Sequence, residues 1–358
     1  MKYFLVTSAF LLSFAGYAQD TLTLVFVGDV MQHKAQIDAA QQGKSYDYGT
    51  YFTHVRKYIE PADVAIANLE VTLAGKPYAG YPQFSAPDEL AGALKDAGFD
   101  ILLTANNHAC DRGKIGVTRT IDMLDSLQIR HTGTFLSQAQ RDSLYPMIID
   151  VRGFRLAILN YTYGTNGIPT PPPTAVNRID TARMAADMAT ARAMQPDIII
   201  ANMHWGDEYT LSPNAAQQAT AEFLIRQGAR LIIGSHPHVL QRMERRLADD
   251  GSTSSVVVYS LGNYISNMTA KNTDGGAMAH IRLVKDNGGV CIDECGYRFV
   301  WTYRPEIDGR KTYTILPIAD FERTPGDLTS VGFKAMTGFA ERMRALYNRE
   351  TVGFTECR

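Results

Sequence analysis

Short apolar runs of strand length recur along this chain, and each closes on a polar residue. The clearest are Leu22-Thr-Leu-Val-Phe-Val27, Asp63-Val-Ala-Ile-Ala67, Asp100-Ile-Leu-Leu-Thr104, the run from Asp197 to Asn202, and Leu231-Ile-Ile-Gly234. Runs so uniformly apolar suit strands buried on both faces, as in a parallel sheet covered by helices. Helical patterns lie between them. Asp88 to Ala97 is followed by Gly98 as a stop; Val117, Ile121, Leu124 and Leu127 repeat at helical spacing; Asp180 to Met194 and Pro213 to Gln227 complete the series. Strand and helix in alternation predict an α/β fold. Met147 to Val151 and Arg155 to Tyr161 flank Arg152-Gly153-Phe154 and predict a hairpin. Ser255 to Ser260, Ala277 to Val284 and Arg298 to Tyr303 are expected as strands of a second, more antiparallel sheet, and a last helix near Val331 to Tyr347.

The residues at the strand ends carry the functional signal. They are Asp29, Glu70, Asn107 with His108, His204, and the pair His236 and His238. Open α/β sheets bind ligands at this carboxyl edge. In extended backbone the two histidines would point the same way, with Pro237 stiffening the segment between them. Taken singly, each has an ordinary explanation: Asp29 as a helix N-cap, Glu70 as a surface acid, the histidine pair as a polar loop. Taken together, a carboxylate, amide and imidazole set on successive strand ends points to one or two divalent ions, with Mn, Fe or Zn the best matches. A carboxylate that bridges two ions, about 3.5–4 Å apart, can serve phosphoryl chemistry. His54, His131 and His280 lie outside any motif and are read as structural.

Bulk properties exclude some functions. The chain has 358 residues and a formal net charge of −2, without a basic run, so nothing favours nucleic acid or an anionic membrane surface. Residues 1–18 read as a secretory signal: Lys2, an apolar stretch from Phe4 to Phe14, then Gly16 and Ala18 before Gln19. The expectation is one domain over residues 19–358 of a soluble protein exported to the periplasm or beyond the cell. Cys291, Cys295 and Cys357 suggest a disulfide tying the C-terminus to the 291–295 region, and Cys110 a packed free thiol.

The motifs Gly28-Asp29, Asn68-Leu69-Glu70, Ala105-Asn106-Asn107-His108 with Asp111 and Gly113, His204-Trp205-Gly206 with Glu208, Gly234-Ser235-His236-Pro237-His238 and Ser260-Leu261-Gly262-Asn263 occur in an order that resembles the CapA family of poly-gamma-glutamate capsule-synthesis proteins. The resemblance runs over residues 22–285 and leaves 286–358 as a C-terminal extension. It implies a branch of the calcineurin-like metallophosphoesterases, with a four-layer α/β/β/α metallophosphatase-like sandwich. It also implies site roles. Asp29 and His238 would serve a first metal position, Glu70 would bridge, and Asn107, His204 and His236 would serve a second. His108 would be the catalytic acid, and Glu208, Asn263 and Trp205 would contact substrate. One position departs: Met31 stands where such enzymes usually carry a histidine, so the first position is expected to be labile or empty, with His33 the only neighbour near enough to help.

Two functions follow from that resemblance. One is a metal-dependent hydrolase or transferase acting on a phosphoester or an amide-linked acidic polymer, alongside a membrane-bound polymer synthase; a general phosphoesterase is the less favoured form of it. The other is an accessory protein that binds an anionic surface polymer without turnover.

Overall fold

The computed structural model describes residues 20–286, 289–307 and 309–358. The expected secretory signal lies outside the described residues. Two sheets make up the body of the molecule. The first holds β1 (Asp20–Val30), β2 (Val64–Leu69), β3 (Ile101–Leu103) and β4 (Arg130–Thr132) in parallel. The second contains β5 (Met147–Val151), β6 (Phe154–Thr162), β7 (Ile198–His204), β8 (Leu231–Ser235), β9 (Met243–Leu247) and β10 (Thr253–Val258). Its order is β9-β10-β8-β7-β6-β5, with β6, β7, β8 and β10 parallel and both edges antiparallel. The hairpin β5–β6 is the one expected from Arg152-Gly153-Phe154.

Strand alternation sorts the apolar residues into layers. Leu24 and Phe26 of β1, Ile66 of β2 and Ile101 of β3 meet Leu156, Ile158, Ile198, Ile200, Leu231 and Ile233 in the core between the sheets. The intervening residues Val25, Val27, Ala65 and Ala67 face outward, onto Leu90, Ala91 and Leu94 of α1 (Glu89–Asp96). On the far side, Leu159, Ile199, Ala201 and Ile232 pack against α3 (Thr181–Ala193) and α4 (Ala215–Arg226). The result is the expected α/β/β/α sandwich. Helix starts follow their caps: Asp180 accepts from the Arg183 amide at 2.8 Å, and Asn214 from Gln217 at 2.9 Å. A further helix, α2 (Gly113–Ser126), sends Val117 and Ile121 against Ala105 and Ala109 beside the strand ends.

The second half departs from expectation in its pairing. Residues 253–258 do not join the antiparallel strands that follow; β10 pairs in parallel with β8, Val258 opposite Ile233. The antiparallel strands instead widen the first sheet. After a short β11 (Asn263–Ile265), β12 (Gly275–Asp286) lies against β1, then come β13 (Gly289–Tyr303) and β14 (Thr314–Pro317). Apolar content marks these segments as strands but does not say which edge they join. The final helix α5 (Ser330–Glu350) lays Met336, Phe339, Met343 and Tyr347 on the inter-sheet core beside Tyr297, Phe299 and Trp301, so the C-terminal extension is part of the same packed body.

All four cysteines are free thiols. The C-terminus is nonetheless held where a disulfide was expected: the Cys357 amide donates to the Tyr297 carbonyl at 2.7 Å, and Thr355 pairs with Gly296. Cys295 packs in the inter-sheet core, while the Cys357 sulfur sits over the opposite face of Gly296, where an added Cβ would come within 2.6 Å of it. Successive positions on a strand face opposite ways, so these two thiols are not brought together. No helix among the described residues is long and apolar enough to cross a membrane.

Candidate metal centre

The strand ends of both sheets converge at one end of the sandwich. Asp29 reaches this point through an irregularity in β1. The β1–β2 register slips between Val27 and Asp29, and Gly28 lies so close to the neighbouring chain that a Cβ there would sit 1.9 Å from the Gly262 carbonyl oxygen. Asp29 thereby leaves the helix-facing row of Val25 and Val27. Its Oδ1 accepts from Asn68 Nδ2 at 2.7 Å, and its Oδ2 lies 3.3 Å from His238 Nδ1.

Glu70 follows directly on β2 and is fully buried, yet neither carboxylate oxygen has a hydrogen-bond donor among the described residues. Around it stand His204 Nε2 at 3.6 Å and His238 Nε2 at 3.9 Å. Asn107 Oδ1 is 3.0 Å from His204 Nε2. Two groups of ligand atoms are compact enough to hold an ion: Glu70, His236 and His238, and Asp29, Glu70 and His204. Glu70 is common to both.

The histidine loop does not achieve convergence in extended backbone. His236 and His238 both have positive φ, 100° and 57°, with Pro237 between them. Left-handed backbone at a non-glycine residue costs of order 1–3 kcal/mol and persists where the surroundings enforce it. Here the His236 amide donates to Asp29 Oδ2 at 3.3 Å and the Pro237 carbonyl accepts from Tyr209 at 2.8 Å.

The electrostatics disfavour ionisation of Glu70 unless a cation is near. Burial pushes Glu70 well above the ordinary carboxylate range, and the neighbouring Asp29 pushes it further. Burial also raises Asp29, but the His238 and Asn68 bonds outweigh it and hold that carboxyl below its usual value. Burial, with the other histidines, holds His204 well below normal and His236 down at about 3, so both are neutral imidazoles with lone pairs to offer. A buried carboxylate without donors, facing neutral imidazoles and an amide oxygen, is the donor chemistry of a divalent cation site. The residues fit the ion.

His108 stands beside this cluster. Its Nδ1 bonds Asp111 Oδ2 at 2.7 Å, the same oxygen accepts from the Phe84 amide at 2.7 Å, and the Phe84 ring packs edge-on to the imidazole with centroids 4.5 Å apart. Above the histidines, the half-exposed Tyr163 lies 4.5 Å from the His236 ring, just before the Pro-rich segment 164–174. Glu208 is solvent-exposed on the loop after β7, close enough to influence the charge of His238 and Glu70.

Two expected substrate contacts are corrected. Trp205 is 2 % exposed, stacks on Tyr259 in the outer core, and donates from Nε1 to the Tyr259 carbonyl at 2.9 Å. It comes directly after the last residue of β7 and packs into the outer core, away from the centre. Asn263 is fully buried: Oδ1 is 3.0 Å from His238 Nδ1 and Nδ2 donates to the Thr273 carbonyl at 2.8 Å, so it braces His238. Met31 is buried in the outer core and offers no nitrogen, while His33 accepts from the Asn267 amide at 3.3 Å and belongs to neither ligand group. Asn68 and Tyr163 had no assigned role in the sequence; Asn68 was visible within its motif, and Tyr163 carried no signal.

Comparison with known proteins finds relatives of this chain. Residues 23–268 match the family described as bacterial capsule synthesis protein PGA_cap. The capsule biosynthesis protein CapA of Bacillus anthracis is 28% identical over 76% of this chain and 66% of its own length, slightly under two thirds. The PGA biosynthesis protein CapA of Bacillus subtilis is 28% identical over 76% of this chain and 70% of its own. Among solved structures, the NAD nucleotidase of Haemophilus influenzae superposes with a TM-score of 0.52 at 12% identity, covering 95% of this chain and 64% of that one. That likeness concerns the fold alone and accords with the metallophosphatase-like sandwich. The family match covers most of the chain and contains every residue of the candidate centre, and this protein therefore belongs to the bacterial capsule synthesis protein PGA_cap family.

Proposed function

We propose that this chain is an exported component of capsule or poly-gamma-glutamate synthesis, acting as a metal-dependent hydrolase or transferase on a phosphoester or an amide-linked acidic polymer, alongside a membrane-bound polymer synthase. One observation carries the reading: Glu70, fully buried, has both oxygens free of donors and points among His204, His236 and His238. In this reading Asp29, Glu70, Asn107, His204, His236 and His238 hold one or two Mn, Fe or Zn ions, with Glu70 shared. A divalent ion there supplies Lewis acidity toward a bound oxyanion or carbonyl. The protein does the rest. Asn68 keeps Asp29 and His204 in place, bonding the first at 2.7 Å and lying 3.3 Å from Nδ1 of the second. With Nδ1 assigned as the donor to Asp111, His108 carries and releases a proton at Nε2, the role of a general acid. Glu208 and Tyr163 stand at the mouth, where they contact the substrate.

Met31 favours a second reading, since the expected histidine of the first position is absent: an accessory protein that binds an anionic polymer without turnover. Both readings need the cation, because an anion entering the bare site would face Asp29 and Glu70. Elemental analysis of the purified protein, with phosphodiester and polyglutamate hydrolysis assayed in Mn²⁺ for wild type and His108→Ala, separates them. Turnover that falls about 100-fold or more in the variant supports the enzyme. Polymer retention without turnover in either protein supports the accessory role. Absence of any transition metal under replete conditions sinks both. Export is tested by N-terminal sequencing of the periplasmic or secreted protein, expected to begin at Gln19.

A further inference from the structure

A cleft lies on the outer face of the first sheet, where the helical layer stops short. Its volume is about 800 Å³. The floor is made by outward-facing positions of β12 and β13: His280, Gly296 and Arg298, with Gly296 directly opposite His280. The glycine leaves no side chain there, and the Cys357 thiol borders the hollow. On the other wall the Arg298 guanidinium stacks on the Tyr58 ring at 3.8 Å.

Arg298 is only 9% exposed, and its Nε and Nη1 are buried without an acceptor among the described residues. Nε2 of His280 is likewise buried and unpartnered. Buried polar groups are nearly always bonded, and a buried guanidinium without acceptors is the rarer case. The acids around it are engaged elsewhere. Asp320 accepts from Tyr58 Oη at 2.7 Å and pairs with Lys57 at 2.9 Å, while Asp293 and Glu294 both pair with Arg282. Arg245, also lining the cleft, adds a further positive charge.

We infer that this cleft is an anion-binding site, with Arg298 the principal donor and His280 beside it, for a ligand bearing a carboxylate or phosphoryl oxyanion. The planar guanidinium held against Tyr58 leaves its N–H edges free for in-plane oxygens, the geometry that oxyanions take. The site is separate from the metal centre, on the outer face of a sheet whose inner face packs on the other sheet. It does not depend on the catalytic reading.

Calorimetric titration of chelator-treated protein tests this, so that anions cannot report on bound metal. The probes are inorganic phosphate and glutarate, with chloride at matched ionic strength as control. Saturable binding of one or both is expected, weakened at least ~10-fold in Arg298→Met and partly retained in Arg298→Lys. Phosphate alone identifies a phosphoryl ligand; glutarate alone identifies a carboxylate. Thermal unfolding supplies a second readout. The anion should raise the Tm of wild type and leave that of Arg298→Met unchanged, with the variant no less stable in anion-free buffer. If Arg298 served only to pack on Tyr58, the variant would lose stability without anion and wild type would show no anion response. That result, or binding of equal strength in both proteins, overturns the inference, and the wild-type titration decides alone if the variant fails to fold.

Discussion

Glu70 shows at the scale of one residue how a site can work against the stability of its own fold. Its carboxylate is buried without donors, so the isosteric Glu70→Gln should stabilise the metal-free protein at neutral pH, by about 1–3 kcal/mol. The same variant should lose any stabilisation by added Mn²⁺. Chemical denaturation with and without metal measures both effects, and a metal-free variant less stable than wild type would contradict the assignment. Asp111 gives the complementary test. Asp111→Asn keeps the shape but alters the bond that holds the His108 tautomer, and turnover should fall by about 100-fold with little change in KM. The residues of the candidate centre stood out because histidine and acid recur at strand ends, where packing does not ask for them. Trp205 and Asn263 were misplaced because adjacency in sequence is not adjacency in space: Trp205, just past the end of β7, turns into the outer core and away from His204. Asn68 stood inside a quoted motif, but an amide on a strand has too many ordinary uses for its contacts to be inferred.

Single elements set the geometry of the site. β1 reads by sequence as a largely apolar strand, and its residue pattern does not reveal the irregularity that re-aims Asp29. Gly28 is the residue that permits it. Gly28→Ala would place a methyl 1.9 Å from the Gly262 carbonyl oxygen, and a loss of at least about 3 kcal/mol, or failure to fold, should be seen in urea unfolding. The last helix is anchored in a different way. Arg344 pairs with Glu322 and with Glu356, both at 2.6 Å and all three mostly buried, fastening α5 to the C-terminal segment. Burial raises Glu356, but the bonds from Arg344 and the charge of Arg358 outweigh it and hold the carboxyl below its ordinary value. A depressed folded value means that the contribution is complete above the unfolded pKa and is lost as acid protonates the folded carboxyl. Stability from this brace should therefore decline as the pH falls below 4.5. Arg344→Leu should cost about 1–2 kcal/mol at pH 7 and flatten that acid limb, as read from denaturation midpoints between pH 6 and 3.

At the scale of the whole molecule, the centre joins the two sheets. β1 and β2 supply Asp29, Asn68 and Glu70; β7 and β8 supply His204 and the histidine loop. An ion held between them links the halves of the sandwich, so saturating metal should raise global stability by about 2.7 kcal/mol at a hundredfold excess over Kd. A chelator should remove that gain in a single cooperative shift, and a shift confined to one half of the molecule in hydrogen exchange would argue against it. What the sequence determined by itself was the kind of fold and the residue types at its end: apolar runs too uniform for half-solvated strands, and acids, amides and histidines closing them. Those are local properties, set by residue type and period. The tertiary structure alone decided which strands share a sheet, that β10 runs parallel to β8 while β12 and β13 widen the other sheet, and where Arg298 would stand without a partner. Strand pairing is a contest among distant segments with nearly equal local preferences, and the placement of a side chain across that pairing has no local signature.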